Sequence, residues 1–162
     1  MLITIQDDNT VCYKDWVFSF DKKLTETLYS NTIWGKSDLK TEKEFQVYKY
    51  LRPTVFPKEI LLLFKKLGID FYKDSKLEHY LDDEEQHVYE GCFYFIGEMI
   101  KGTYSTITLE NNETYQNLTQ IDNSFSIGFH CDNTCIASKP LMCVSFSITT
   151  SSNIFNQIAI NL

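Results

Sequence analysis

Candidate metal ligands are concentrated in one C-terminal stretch of the sequence. They are His130, Cys131, Cys135 and Cys143. The Cys131-x3-Cys135 spacing lies within the range of zinc sites. Neighbouring residues of a strand point to opposite faces, however, so His130 and Cys131 are expected to diverge. Because no second closely spaced pair is present, the sequence favours buried thiols over a zinc site, and we expect no metal and no other cofactor.

Catalysis by a cysteine nucleophile would require an imidazole beside the thiol. The only histidines are His79, His87 and His130. The sequence also contains no nucleophile elbow, no phosphate-binding loop and no metalloprotease motif. The adjacent acids Asp82 to Glu85 could pair for acid–base work, but that chemistry needs one desolvated carboxyl group. The sequence therefore predicts a protein that is not an enzyme, and a cysteine-dependent enzyme is the least favoured alternative.

The charge balance indicates the kind of partner that the chain can bind. The 162 residues carry a net charge of −7, with 43% hydrophobic residues, as expected of one globular domain over 1–162. Binding to a nucleic-acid backbone depends on lysine and arginine, so the charge argues against direct nucleic-acid binding. An acidic domain instead suits a cationic protein partner, although acidity also serves solubility alone.

One acidic run could form the contact surface for such a partner. It consists of Asp82, Asp83, Glu84 and Glu85, and a weaker candidate is the pair Asp7 and Asp8. The alternative is that the run is a solvated loop or helix end. If the run is functional, we expect it to steer a basic partner toward the surface.

The N-terminus and the apolar segments predict the location of the protein. The first residues, MLITIQDDNT, lack the basic region and apolar core of a signal peptide, and no run is long enough to span a bilayer. We therefore expect a cytoplasmic protein that does not enter the membrane. In that location its five cysteines are expected to be free thiols, mostly buried or half-buried.

The central element of the predicted fold is Val88 to Gly102, where aromatic and aliphatic residues occupy both faces of an extended segment. Gly91 and Gly97 within it indicate close backbone contacts or a bulge. Pro57 to Gly68 predicts a helix with proline in its first turn and glycine after its end. A second helix is expected over Ser37 to Leu51, with Ser37 as N-cap and Pro53 ending it.

The remaining segments complete an α+β pattern. Lys76 to Leu81 is interpreted as one or two helical turns, and Leu24, Leu28 and Trp34 as anchors of a short helix or irregular segment. Strands are predicted over Phe125–Cys131, Met142–Thr149 and Ile154–Leu162 from their period-two alternation. Leu2–Ile5 is a short apolar strand candidate, and Val11–Phe20 alternates imperfectly, which indicates a strand with one bulge. We expect an antiparallel β-sheet of five to seven strands with helices packed on one face. The pattern leaves open whether the first strands join the last ones.

Three consecutive features of the sequence resemble a known group of proteins. They are the strand Tyr89-x-Gly-x-Phe-Tyr-Phe-Ile-Gly97, the following Glu98-Met-Ile-Lys-Gly102, and a Ser/Thr-rich meander. These are the small immunity proteins of bacterial polymorphic toxin and contact-dependent growth inhibition systems. The resemblance covers the C-terminal half and implies a cytoplasmic antitoxin that binds one cognate toxin domain, often a basic nuclease, and blocks it. Its site residues cannot be transferred to particular positions.

Two further surfaces are open to a partner or ligand. The last predicted strand, Ile154–Leu162, could lie at a sheet edge and accept a strand from the toxin. Trp16, Trp34 and the ten tyrosines could line a pocket in a small-molecule-binding or scaffolding domain. Aromatic residues in a domain rich in sheet are more often core.

Overall fold

The computed structural model describes residues 3–7 and 9–162 and shows an α+β protein. The strands are β1 (Thr4–Asp7), β2 (Thr10–Tyr13), β3 (Trp16–Phe20), β4 (Lys76–Leu81), β5 (His87–Lys101), β6 (Thr106–Thr108), β7 (Thr114–Gln116), β8 (Thr119–Gln120), β9 (Phe125–Ile136) and β10 (Lys139–Thr150). The helices are α1 (Lys22–Ser30), α2 (Lys43–Val55), α3 (Lys58–Leu67) and α4 (Ser152–Ala159).

The main sheet is antiparallel and confirms the predicted fold class. Its strands follow the order β1-β2-β3-β5-β10-β9-β8, and β4 additionally pairs with β5. The N-terminal strands therefore belong to the same sheet as the C-terminal ones, through the β3–β5 pairing. A separate hairpin consists of β6 and β7.

β5 is the central strand, as predicted from its two apolar faces. Phe93 and Phe95 on one face and Ile96 on the other are fully buried. The Phe93 ring lies 5.1 Å from the Phe64 ring of α3, between centroids, in an edge-on contact. The predicted close backbone approach is found at Gly97, where a Cβ would collide with the carbonyl oxygen of Ser19 on β3.

The two faces of this sheet are covered differently. We call the face that bears Phe93 and Phe95 the helical face, because α2, α3 and α4 contact it: Tyr48 packs on Tyr89, and Phe155 on His87. We call the other one the open face; it bears Cys92, Tyr94, His130, Cys143 and Ser145.

The helix α1 fills a gap between β3 and β4, which pair with opposite ends of the same edge of β5. The Tyr29 hydroxyl donates to the carbonyl oxygen of Tyr94 at 2.7 Å and accepts from its N–H at 3.0 Å. The Thr25 hydroxyl accepts from the N–H of Ile96 at 3.0 Å. Four residues of helix rise about 6 Å, close to the roughly 6.6 Å of two strand residues, so one helix face matches every second residue of the strand.

A buried ionic network joins the segment before α2 to the segment before β4. The Asp74 side chain is fully buried and accepts hydrogen bonds from the Ser37 hydroxyl and, at 2.9 Å, from the Ser37 N–H. Arg52 Nη1 lies 3.8 Å from Asp74 and donates to the carbonyl oxygen of Tyr72 at 3.0 Å, and Nη2 lies 3.3 Å from Asp38. Burial raises the pKa of Asp74, against the opposing effect of these partners.

The helix α3 agrees with the prediction at both ends. Pro57 precedes its first residue, and Gly68 follows its last one with a φ of 85°, in the left-handed region that glycine adopts readily. The prediction for α2 was wrong at both ends. Ser37 lies in a short 3₁₀ helix instead of capping α2, because its hydroxyl and N–H bind Asp74. Pro53 lies in the last turn of α2 and does not end it, since packing of Leu51 holds that turn in the core.

Two further elements differ from their predicted type. Lys76–Leu81 is strand β4 and not a helical turn, because its backbone pairs with β5 over its whole length. The last predicted strand is helix α4, whose first turn is capped by Ser151 through the N–H of Ile154. Its apolar residues satisfy both a helical and an alternating period, so the pattern alone was ambiguous. The proposed edge strand at Ile154–Leu162 is therefore absent.

The tryptophans and cysteines are less uniformly buried than expected. Trp16 is a core residue, whereas Trp34 was wrongly predicted as an anchor and is 63% exposed. Cys92 and Cys143 are buried and Cys12 is half-buried, but Cys131 and Cys135 are exposed on the second half of β9. Leu2 and Asp8 lie outside the described residues.

Candidate functional site: the acidic hairpin and the open face

The strongest concentration of charge lies on the hairpin of β4 and β5. Residues 76–91, which we call the acidic hairpin, contain six acidic side chains and one lysine, in a chain of net charge −7. The predicted run Asp82–Glu85 forms its tip, between the two strands. Most of the excess negative charge of the chain is therefore held on one hairpin.

The four acids of the tip have different roles. The Asp82 carboxylate accepts from the backbone N–H groups of Glu84 at 2.9 Å and Gln86 at 2.8 Å, so it shapes the turn. Asp83, Glu84 and Glu85 are exposed. The carbonyl oxygen of Glu85 accepts a hydrogen bond from the Ser152 hydroxyl at the start of α4, which holds the tip against that helix.

The strand register adds two acids that the sequence reasoning missed. Glu78 on β4 lies directly opposite Glu90 on β5, and both are exposed. Like charges in this relation destabilise a sheet. Lys76 lies 3.2 Å from Glu78, and the Tyr80 hydroxyl donates to Glu90 at 2.8 Å. Only knowledge of the pairing could have identified this pair, because the two residues are separated by the whole turn.

The weaker candidates Asp7 and Asp8 are not brought near the tip. Asp8 lies outside the described residues. The pairings of β1 with β2, of β2 with β3 and of β3 with β5 place the backbone of Asp7 level with Glu98. His87 is at one end of β5, and Glu98 lies near the other end. At about 3.3 Å per strand residue, that end lies roughly 35 Å from the base of the hairpin tip.

A cleft of about 320 Å³ opens on the open face beside the acidic hairpin. One wall consists of Lys76, Glu78 and Glu90, and Gln116 and Leu118 form part of the opposite side. Such a volume is at the lower end of small-ligand sites. The cleft thus continues the acidic surface of the hairpin onto the sheet.

The floor of the cleft brings together thiols and an imidazole. Cys143 on β10 is the direct partner of His130 on β9, and Cys92 on β5 lies beside them on the same face. The Nδ1 atom of His130 is buried and has no hydrogen-bond partner among the described residues. Burial lowers the pKa of His130. His130 and Cys143 are candidates from the sequence alone, whereas only the strand pairing places Cys92 beside them.

A pair of histidines lies on the helical face of the acidic hairpin. His79 Nε2 and His87 Nδ1 are 2.8 Å apart, and the His87 ring stacks on Phe155 of α4 at 3.6 Å between centroids. One ring must be neutral for the contact, since it accepts the hydrogen bond of the other. Burial lowers the pKa of both histidines, the His79 charge lowers that of His87 further, and Glu44 opposes both shifts.

These shifts predict a pH dependence of stability. In the unfolded chain both rings bind protons near pH 6.5, whereas the folded pair resists protonation. The unfolded state therefore binds more protons as the pH falls from about 7 to 5, and stability decreases over that range. We expect Tm to fall on acidification, and to fall less steeply in the double variant His79→Gln, His87→Gln. If Tm falls equally steeply with pH in both proteins, the pair of His79 and His87 is not the cause.

The chain was compared with protein-family models, curated proteins and solved structures, and no match was found in any of the three comparisons. Within residues 3–7 and 9–162, none of the helices has the length and apolar character needed to cross a membrane. The same described residues contain no group of three or more His, Cys, Asp or Glu arranged to hold a metal ion. The acidic hairpin and the open face are therefore the features of the molecule that bear on its function.

Proposed function

We propose that this chain is a binding protein that holds a cationic protein partner at its acidic hairpin. In its specific form, the proposal is an immunity protein that neutralises a cognate toxin domain, a basic nuclease being the partner that fits the charge. The observation that carries it is the placement of six acids and one lysine on one hairpin, with Glu78 directly opposite Glu90. A like-charge pair disfavours the sheet, and a positively charged partner would add to the compensation that Lys76 and the Tyr80 hydroxyl provide.

The hairpin combines charge with apolar contact area. Tyr80 is 44% exposed and Leu81 55% exposed, both next to the acidic tip. Opposite charge accelerates encounter, whereas the tightness of a complex comes mainly from a few buried aromatic or aliphatic anchors. Tyr80 and Leu81 are therefore the residues expected to hold the partner after the acids have attracted it.

The hairpin is also held in one conformation before binding. Asp82 orders the turn, Ser152 anchors the tip to α4, and β5 continues into the centre of the sheet. A surface that is ordered in advance loses less conformational entropy on association. This favours a role in tight and specific binding.

The direct test is a growth assay. The C-terminal domain encoded by the reading frame immediately upstream is induced in a test bacterium, with and without this protein. We expect this protein to restore growth, because bound toxin is inactive, and the measurement is the growth rate after induction. An unrelated acidic domain of similar size is the control. An upstream product that is harmless, or that kills in the presence of this protein, would contradict the immunity function.

The cleft supports a second candidate, a small-molecule-binding function. Its floor carries Cys143 and His130, and its volume could hold a small polar ligand. The large aromatic side chains do not favour this candidate, since Tyr13, Tyr48 and Tyr89 are fully buried in the core. A ligand-induced increase in Tm that is lost on His130→Ala would support the second candidate.

A further inference from the structure

The positive charges of this acidic chain are concentrated in its helical segment. Residues 21–73 run from the N-cap of α1 to the connection after α3, and they hold eleven of the fifteen lysines and arginines but only seven of the twenty-two acids. This segment therefore carries an excess of four positive charges in a chain of net charge −7. The acidic hairpin belongs to the remainder, so the molecule has a basic part and an acidic part.

A groove of about 680 Å³ lies between α1 and α3 in the basic part. We call it the basic groove. Lys22 of α1 and Lys65 of α3 line it from the two helices, and both are exposed. Its apolar lining comes from α3 and the connection that follows: Leu61, Phe64, Ile69 and Phe71. The basic groove thus offers apolar contact area beside positive charge.

The charges of the basic groove favour an anionic occupant. Its two acids already face lysines, because Glu26 lies 3.6 Å from Lys22 and Asp70 lies 3.8 Å from Lys73. Lys65 forms no ion pair within residues 3–7 and 9–162. The net positive charge of the lining is therefore left for a partner that combines acids with apolar side chains.

The acidic hairpin of this same protein has that composition. Asp83, Glu84 and Glu85 are exposed at its tip, and Tyr80 and Leu81 are exposed next to them. Acids that attract and an aromatic or aliphatic side chain that is buried on contact are the two parts of a specific interface. The two surfaces of the chain are therefore complementary to each other.

The tip cannot reach the basic groove of its own chain. Tyr29 lines the groove, and its hydroxyl binds the backbone of Tyr94, seven residues along β5 from His87 at the base of the tip. Seven strand residues span roughly 23 Å, at about 3.3 Å each. The Ser152 hydroxyl also holds the tip against α4. The complementary surfaces can therefore meet only between molecules.

We propose that the tip of the acidic hairpin of one copy docks in the basic groove of a second copy. Two chains of net charge −7 repel each other at long range, but at a salt concentration of about 0.15 M charges are screened beyond about 8 Å, so the opposite charges in contact decide. Docking covers the tip, and the cationic partner of the proposed function would compete with the second copy for it. That competition rests on the proposed function, whereas the docking does not.

The test measures self-association of the full chain by sedimentation velocity over a range of protein concentrations. We expect the weight-average mass to increase with concentration, and to increase less at about 0.5 M salt. Reversing the charges on either surface should weaken self-association by at least about 10-fold, because like charges then face each other. The tip variant is Asp83→Lys, Glu84→Lys, Glu85→Lys, and the groove variant is Lys22→Glu, Lys65→Glu.

Two further variants separate docking from general charge effects and from damage to the fold. Lys43→Glu, Lys101→Glu is the matched control, because both lysines are exposed and neither lines the basic groove. It should weaken self-association far less than the groove variant does. A chain with the tip and groove substitutions together has opposite charges on the two surfaces again. We expect it to associate more tightly than either variant alone, which misfolding would not produce.

Cross-linking locates the contact directly. A carbodiimide, which joins carboxylates to amines in contact, is added to a mixture of isotope-labelled and unlabelled wild-type chains. We expect mixed-isotope links from the tip acids to Lys22 or Lys65. A wild-type mass that does not change with concentration, mixed-isotope links only at other sites, or a combined variant no tighter than the single ones would overturn the proposal. Because only this chain is present, the result is independent of the proposed toxin partner.

Discussion

Replacing Asp74 with alanine should lower the free energy of unfolding by about 3–5 kcal/mol, because the change breaks a buried ion pair and leaves Arg52 with the partly exposed Asp38 as its remaining carboxylate. The Arg52 side chain is only 8% exposed and lies 3.8 Å from Asp74. The same substitution also removes the acceptor for the Ser37 N–H and hydroxyl. Urea denaturation followed by circular dichroism measures the loss.

Two further variants separate the charge effect from general damage. Asp38 contacts the same arginine at 3.3 Å but is 21% exposed, so Asp38→Ala should cost about 1 kcal/mol or less. In the Asp74→Ala background, Arg52→Met removes the charge that has lost its buried partner and should restore part of the lost stability. If Asp74→Ala lowers the free energy of unfolding no more than Asp38→Ala does, the buried pair of Asp74 and Arg52 does not contribute the stability expected of it.

Reversing three charges at the tip of the acidic hairpin should slow association with the proposed toxin partner by on the order of 100-fold at low salt, since electrostatic steering contributes roughly 10- to 1,000-fold to encounter rates. The variant is Asp83→Lys, Glu84→Lys, Glu85→Lys. Asp82 is left in place because its carboxylate orders the turn. Stopped-flow measurements at several salt concentrations should also show a flatter salt dependence than in the wild type.

A matched variant tests whether the position of the charges matters. Glu98→Lys, Glu110→Lys, Glu113→Lys changes the net charge by the same amount at exposed sites away from the tip. We expect its association to slow far less than that of the tip variant. Equal slowing by both variants would indicate a general charge effect, and unchanged kinetics in the tip variant would remove the tip from the interface.

Local patterns predicted those elements whose stability is decided within one segment. The apolar residues on both faces of Val88–Gly102 indicated a central strand, and proline and glycine at the ends of α3 indicated its limits. The acidic run was visible in the sequence as well. In each case neighbouring residues contain the physical cause: burial on two faces, a helix terminus or a local excess of charge.

The pairing between distant segments could not be predicted in the same way. The opposition of Glu78 to Glu90 and the position of Cys92 beside Cys143 on one face depend on strand register, which is set by contacts across the whole sheet. Helix α4 was mistaken for a strand because its apolar residues satisfy two periods. The sequence predicts Ser37 as a helix cap, since nothing near it indicates a contact with Asp74.

The hydroxyl groups of α1 have a consequence for how the chain behaves at high concentration. Between its pairings with β3 and β4, the edge of β5 would otherwise present unpaired backbone groups at Tyr94 and Ile96. Exposed edges of this kind recruit strands from other molecules and lead to exchange or aggregation. Tyr29 binds both backbone groups of Tyr94, Thr25 binds the N–H of Ile96, and the N–H of Asp21 binds the Ile96 carbonyl oxygen. This part of the longest strand is therefore closed to other copies of the chain from within.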